Sequence, residues 1–209
     1  MRIQTICSGP LNTNCYIVTG DRQESCVLID AAPGSASEVA NQLGNLRPAA
    51  IWLTHTHWGH IADIAAVCEM LGRPLPSIAA HALDANNLKH PGSDGIAPPL
   101  DITPVSPDRI LADGDTLTLE GNAFVVLHTP GHSPGGVCFY CMAENILFSG
   151  DTLFRGKPGT TALPRASSRA LTSSLARLAE LPPNTNVYPG HGAPTILERE
   201  IDWMRTYRP

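Results

Sequence analysis

The segment WLTHTHWGHIAD, residues 52–63, places His55, His57 and His60 within six positions, directly after the apolar run Ile51, Trp52 and Leu53. Side chains alternate along extended backbone, so His55 and His57 project to one side and can share one ion. His60 opens the next helix and points back toward the same place. Three later loops repeat one device of strand, small-residue turn and ligand. TPGHSPGG carries His132, FSGDTLF carries Asp151 and YPGHGAP carries His191. Glycine and proline fix such turns tightly and push the polar side chain outward. His132 is the candidate third ligand for the ion shared by His55 and His57. Three imidazoles around zinc leave a fourth position for water and bring its pKa down to about 7, so the chemistry implied is hydrolysis.

Other hydrolytic designs do not fit. A helical H-E-x-x-H protease needs a Glu between the histidines, and none stands there. A serine hydrolase needs a nucleophile elbow such as G-x-S-x-G, which is absent. His81, His90 and His128 have no comparable context. Cys138 and Cys141 form a C-x-x-C, but within the apolar strand-like GGVCFYCMAE and without a second pair, so the six cysteines read as reduced thiols, mostly packed in strands.

The elements that must position these ligands follow from pattern. MRIQTI, NCYIV and SCVLID, separated by turn-like GPLNT and GDRQE, predict an antiparallel meander. Residues 37–46 read as a helix with Ser37 as N-cap, 49–54 as a buried strand, and 60–71 as a helix with one apolar face. The five prolines of 90–108 exclude a regular element and leave a loop, a candidate flap over a site. DTLTLEG, AFVVLHT, VCFYCM and NILFSG resume the strand pattern. A helix at 168–181, a strand at NVYPG and a last helix at 194–207 complete the chain. Two groups of strands, each followed by helices and without a short repeat, predict two sheets sandwiched between helices.

With 209 residues, 43% hydrophobic and 16% charged, the chain suits one domain over residues 1–209. No apolar run approaches the roughly 20 residues that span a bilayer, and MRIQTICSGPLNTNC lacks the apolar block of a signal peptide, so a soluble cytoplasmic protein is expected. A net charge of −5 without a basic block argues against nucleic acid as a partner. Between Thr152 and Ala179 there is no acidic residue, while Arg155, Lys157, Arg165, Arg169 and Arg177 all occur. That segment is either a solvated basic face or a patch for an anionic small substrate.

Taken together, these residues resemble the metallo-β-lactamase superfamily, whose hallmark H-x-H-x-D-H is followed by a distant His, a bridging Asp and a final His. GPLNTNCYIV, VLIDAAPG, HTPGHSPGG, FSGDTLFRG and VYPGHGAPT look like its small single-domain glyoxalase II branch, the hydroxyacylglutathione hydrolases and related thioesterases. The resemblance implies an α/β fold, an αββα four-layer sandwich of two mixed β-sheets flanked by helices. It also implies a shallow site for one or two metals, usually zinc and sometimes iron or manganese. By that likeness His55, His57 and His132 hold the first ion, and His60, His191 and the bridging Asp151 the second.

Two positions depart from the pattern. Gly59 stands where the hallmark has Asp, and Thr160, Thr161 and Ala162 replace an Arg-Thr-Asp usual in that branch. Loss of a carboxylate weakens the second position far more than the first, so one firmly bound zinc and a weak or absent second ion are expected. A thiol, with a pKa near 8.5, departs with little protonation, whereas an amide nitrogen must first receive a proton. The expected activity is therefore metal-dependent hydrolysis of a small, anionic thioester, with Asp151 as ligand and catalytic group. Arg155, Lys157 and Arg165 are the candidate substrate-binding cations. Two alternatives stand beside it: a family member impaired or non-catalytic through Gly59, and a mononuclear iron persulfide dioxygenase using His55, His132 and Asp151.

Overall fold

A computed structural model describes residues 1–208. The first sheet begins with the predicted meander, β1 (Arg2–Ser8), β2 (Thr13–Thr19) and β3 (Cys26–Ile29), paired antiparallel. The chain then turns through α1 (Ala36–Leu43) into β4 (Pro48–Trp52), which runs parallel to β3. Two helices follow, α2 (Trp58–Ile61) and α3 (Ile64–Leu71), then β5 (Ser77–His81), α4 (Ala85–Lys89) and β6 (Arg109–Leu111). β5 and β6 extend the sheet in parallel, giving the order β1-β2-β3-β4-β5-β6.

The second sheet is built from β7 (Thr116–Leu119), β8 (Asn122–His128), β9 (Val137–Cys141) and β10 (Ile146–Gly150), an antiparallel run. After the small ribbon β11 (Leu153–Phe154) and β12 (Lys157–Pro158), helix α5 (Ser168–Leu178) crosses to β13 (Asn186–Pro189), parallel to β10. β14 (Thr195–Ile196) then closes the order β14-β13-β10-β9-β8-β7, and α6 (Ile201–Thr206) ends the regular structure.

Strand alternation divides the apolar residues among three cores, which makes the molecule four layers thick. Ile17, Leu28 and Ile51 face Val39, Ile64 and Val67 of the outer helices. Tyr16, Ile29, Trp52, Phe124, Phe139 and Phe148 fill the space between the sheets, with the rings of Trp52 and Phe124 5.1 Å apart. Leu147 and Tyr140 meet Leu171, Leu175 and Met204 of α5 and α6. This is the αββα sandwich of two mixed sheets. Burial of each such large side chain contributes about 1.5–3 kcal/mol. Cys138 and Cys141 lie in different cores, as an odd spacing on a strand requires, so they cannot act as a pair.

Several elements differ from their sequence pattern. The first helix begins at Ala36 rather than Ser37, because Asp63 Oδ2 accepts the Ala36 N–H at 2.9 Å and caps it from a distance. It ends at Gly44, whose φ of 57° halts the helix before Leu46. The apolar stripe of 60–71 is split into α2 and α3 because the chain leaving β3 inserts between them. Ala31 donates to the His60 carbonyl at 2.8 Å and its own carbonyl accepts from Asp63 at 3.1 Å. The last helix is short, since Thr195 and Ile196 pair with β13 before a 3-10 turn, Leu197–Arg199, leads into α6. Stretch 90–108 forms no regular element, as expected. Among the described residues no helix is long and apolar enough to cross a membrane.

One carboxylate fastens the sheets at their far end. Glu120, in the β7–β8 turn, accepts the backbone N–H groups of Arg22, Glu24 and Ser25, each at 2.7 Å. A side chain at Gly20 has no room, since its Cβ would lie 2.4 Å from Glu120 Cδ. We expect Glu120→Ala and Gly20→Ala each to lower Tm by several degrees in thermal denaturation. An unchanged Tm in both contradicts this role.

Candidate metal centre

β4 delivers its chain to the rim of the sandwich, where Thr54, His55, Thr56 and His57 lie buried and His57, in extended backbone, leads into α2. β8, β10 and β13 end at the same rim and supply His132, Asp151 and His191. Close approach there requires glycine. A Cβ at Gly190 would stand 2.1 Å from Asp151 Oδ1 and 2.9 Å from His60 Cε1.

All six predicted ligands converge. His57 Nδ1 and His132 Nε2 are 2.9 Å apart, and the ligand atoms of His55, His57 and His132 all lie within 4.8 Å of one another. Those of His55, His60 and Asp151 form a second such group. The Asp151 carboxylate is central, 3.4 Å from His60 Nε2, 3.4 Å from His132 Nε2 and 3.3 Å from His191 Nε2. Tetrahedral bonds of about 2.0–2.1 Å place neighbouring ligand atoms roughly 3.3 Å apart, so this is the spacing of groups around a shared cation.

The outward nitrogens are set by their partners. His60 Nδ1 donates to Asp30 Oδ2 at 2.8 Å, His132 Nδ1 to the Thr160 carbonyl at 3.0 Å and His191 Nδ1 to the Leu11 carbonyl at 3.0 Å. Thr54 Oγ1 donates to Asp30 Oδ2 at 2.8 Å, which leaves its lone pair for His55 Nδ1 at 3.1 Å. Each of these rings thus turns a bare Nε2 inward, the arrangement that metal-binding histidines adopt. His55 Nε2, His60 Nε2 and Asp151 Oδ1 are buried without any partner. Such atoms are costly unless something binds them, and bound divalent metal would satisfy all three.

Electrostatics agree. Burial, then the neighbouring imidazoles, holds His55 well below the usual histidine range and takes His57 down to about 3. Burial also lowers His132. These rings are neutral at pH 7, as ligands must be. Burial opposes the charge on Asp151, yet His60, His191 and His132 hold its carboxyl well below the ordinary range. Burial also works against the His191 cation, but the hydrogen bond and charge of Asp151 raise it.

The centre floors a cleft of about 770 Å³. Trp58, Phe154, Ile96 and Leu163 form apolar walls, and the exposed Arg155 and Lys157 stand in the rim. Arg165 is not in that wall; it lies beside Asp84 and Asp94, with Nη2 3.4 Å from the Leu83 carbonyl. Ile96 confirms that the proline-rich stretch reaches the site. It is fixed there, because its N–H donates to Asp94 Oδ1 at 2.9 Å, which Asn87 holds in turn.

Sequence reasoning gives no role to Asp30, the group that orients two of the histidines. Its signal is a carboxylate ending the apolar strand CVLID, where an unpaired charge is not tolerated. Asp30 is 2% exposed, has φ 61°, and accepts from Thr54 N, Thr54 Oγ1 and His60 Nδ1, each at 2.8 Å.

Asp30→Ala leaves buried donors unmatched and should cost about 3 kcal/mol in denaturant unfolding, with retained metal weakened roughly 10–100-fold. Wild-type stability and metal content in this variant would contradict that role. For the metal-free chain, His55, His57 and His132 have folded pKa values below the unfolded value, so the unfolded state binds more protons. Stability is then intact above about pH 6.5 and falls as the pH drops below it, outweighing the opposite contribution of His191. A metal-free Tm that is flat or rises from pH 7 to 5 contradicts this.

Comparison with known proteins agrees with the geometry. Residues 8–191 match the sequence profile of the metallo-beta-lactamase superfamily. A probable metallo-hydrolase of Bacillus subtilis, YqgX, is 32% identical over 93% of this chain and 92% of its own. The crystal structure of the B3 metallo-beta-lactamase BLEG-1 is 31% identical and superposes with a TM-score of 0.87, covering 98% of this chain and 99% of that one. TTHA1623, solved in a di-iron-bound form, is 40% identical with a TM-score of 0.75, over 94% and 96% of the two chains. The histidines and aspartate gathered at the rim thus belong to a known architecture: the chain is a member of the metallo-beta-lactamase superfamily.

Proposed function

We propose that this chain, read as one domain over residues 1–209, is a metal-dependent hydrolase of thioesters of the glyoxalase II type. The observation that carries the reading is the convergence of six ligands around three unpartnered buried atoms, His55 Nε2, His60 Nε2 and Asp151 Oδ1. A relative named as a probable metallo-hydrolase supports the general class. His55, His57 and His132 hold the first ion, and His60, His191 and the shared Asp151 the weaker second one. Zinc suits this donor set, and iron suits it too, as the di-iron form of TTHA1623 illustrates. Bound there, the ion supplies a water acidified to near-neutral pH and an electrophile for the substrate carbonyl.

The chain's own residues do the rest. Asp151, kept ionised, is placed to orient the attacking water through its carboxylate. Arg155 and Lys157 at the rim pair with an anionic thiol carrier. Trp58 and Phe154 cover the apolar part of the substrate and exclude bulk water. Among the described residues, the only titratable side chains lining the cleft besides the six ligands are those two cations. A leaving thiolate needs no proton, whereas a lactam or peptide nitrogen does, so the cleft favours thioesters. With Gly59 in place of a carboxylate, the second position has only Asp151 as a charged ligand.

The test combines elemental analysis with a panel of acyl thioesters and a β-lactam, run beside Gly59→Asp. We expect about one metal per chain, thioester turnover well above lactam turnover, and a rise in both metal content and rate on Gly59→Asp. Two firmly held metals in the parent overturn the account of the second position. Oxygen uptake with bound iron and a persulfide selects a dioxygenase. No retained metal and no turnover after metal addition select a non-catalytic protein.

A further inference from the structure

Glu200, immediately before α6, is 2% exposed, and its carboxylate is met only by neutral donors. Oε2 accepts the Trp203 indole N–H at 2.7 Å and the Gly156 backbone N–H at 2.8 Å, and Oε1 accepts the Thr195 hydroxyl at 2.7 Å. A buried carboxylate persists only where donors satisfy it, and two of these three belong to the C-terminal segment itself. The third does not. Gly156 is 44 residues away, in the turn of the β11–β12 ribbon, between the two rim cations Arg155 and Lys157.

That ribbon is too small to hold its own shape. It pairs Leu153 and Phe154 with Pro158 and Lys157, and Pro158 has no N–H to give the ladder. Its tip, residues 155–157, is exposed. Among the described residues, the Gly156 bond to Glu200 is the only hydrogen bond from that tip to a residue outside the ribbon. The tip also shapes the cleft. Lys157 Nζ lies over the Phe154 ring, 5.7 Å from its centroid, and that ring is 5.9 Å from the His191 ring.

We infer that Glu200 is a positioning residue for substrate selectivity: by fixing the Gly156 N–H it holds Arg155 and Lys157 where the anionic part of a substrate meets them. The inference rests on the role proposed above for those two cations. Removal of the carboxylate unfastens the tip, and the cations then lose the advantage of being ordered before the substrate arrives. Glutamine preserves the arrangement, since its carbonyl can accept from Gly156 and Trp203 while its amide donates to the Thr195 hydroxyl.

The experiment compares S-benzoyl mercaptosuccinate, a dianionic thioester, with its neutral dimethyl ester. The proteins are the parent, Glu200→Ala, Glu200→Gln and a double variant, Arg155→Ala with Lys157→Ala. Calorimetry with S-benzyl mercaptosuccinate, the inert thioether, reads binding without turnover. We expect Glu200→Ala to raise the KM of the dianion and to weaken the thioether by about tenfold, with kcat and the KM of the diester moved far less. Glu200→Gln should behave as the parent. If Glu200→Ala does not fold, Glu200→Asp, one methylene too short to reach Gly156, takes its place and should show the same split. Loss of the dianion preference in the double variant but not in Glu200→Ala overturns this inference alone. So does an equal loss of both substrates in Glu200→Ala, or a Glu200→Gln as impaired as Glu200→Ala. A double variant that keeps the parent's preference overturns the role of the cations and this inference with it. A parent that cleaves no thioester yet shows the split in thioether binding overturns the activity and supports the positioning role.

Discussion

A single buried carboxylate sets the geometry of the whole rim. Asp30 ends β3 in a left-handed conformation, within a sheet whose other residues there are apolar. Its charge is compensated by Thr54 and His60, which belong to the chain leaving the neighbouring strand. The same contacts fix where β4 ends, where α2 begins and which nitrogen of His60 faces inward. Through Thr54 they also fix His55. The parallel pairing of β3 with β4 and the chemistry of the site are therefore one arrangement. A slip of either strand would leave buried donors and a buried anion unmatched, at a cost comparable to a large part of the stability of an ordinary domain.

The two halves of the molecule contribute unlike things. The first sheet supplies three histidines from one continuous segment, rigidly held from behind. The second supplies His132, Asp151 and His191 from three separate loops, each oriented by a backbone carbonyl or by the other ligands. Carbonyls of Thr160 and Leu11 orient two imidazoles without any dedicated side chain. This division explains how the cleft can vary around a constant floor. Its apolar walls and the two cations come from Trp58 at the start of α2, from the ribbon β11–β12 and the loop after it, from the proline-rich loop and from the β1–β2 turn.

Much of this is legible in the sequence, and the reasons are physical. Ligands at strand ends are readable because they stand out against apolar runs and lie in Gly/Pro turns, as at HTPGH and YPGH. The sandwich is readable from strand groups followed by helices. What orients the ligands is much harder to read. A carbonyl acceptor carries no residue type, and Asp30 shows its role only once β3 and β4 are paired. The break between α2 and α3 is hidden for the same reason, since the apolar stripe runs through Ala62 while the interruption comes from Ala31. β5, in PLPSIAAH, has too little β-branched character to register by pattern, and its place is set by parallel pairing with β4. Arg165 looks like its basic neighbours in sequence, yet it lies outside the cleft, in left-handed backbone and with its guanidinium donating to the Leu83 carbonyl.

The central claim is that imidazoles and one carboxylate, oriented from behind, enclose a cation at this rim. X-ray absorption at the zinc edge of the zinc-loaded protein tests it most directly. The account predicts a shell of nitrogen and oxygen at about 2.0–2.1 Å with multiple-scattering features of at least three imidazoles and no sulfur. A sulfur shell at about 2.3 Å, or fewer than two imidazoles, would place the ion elsewhere and contradict the account.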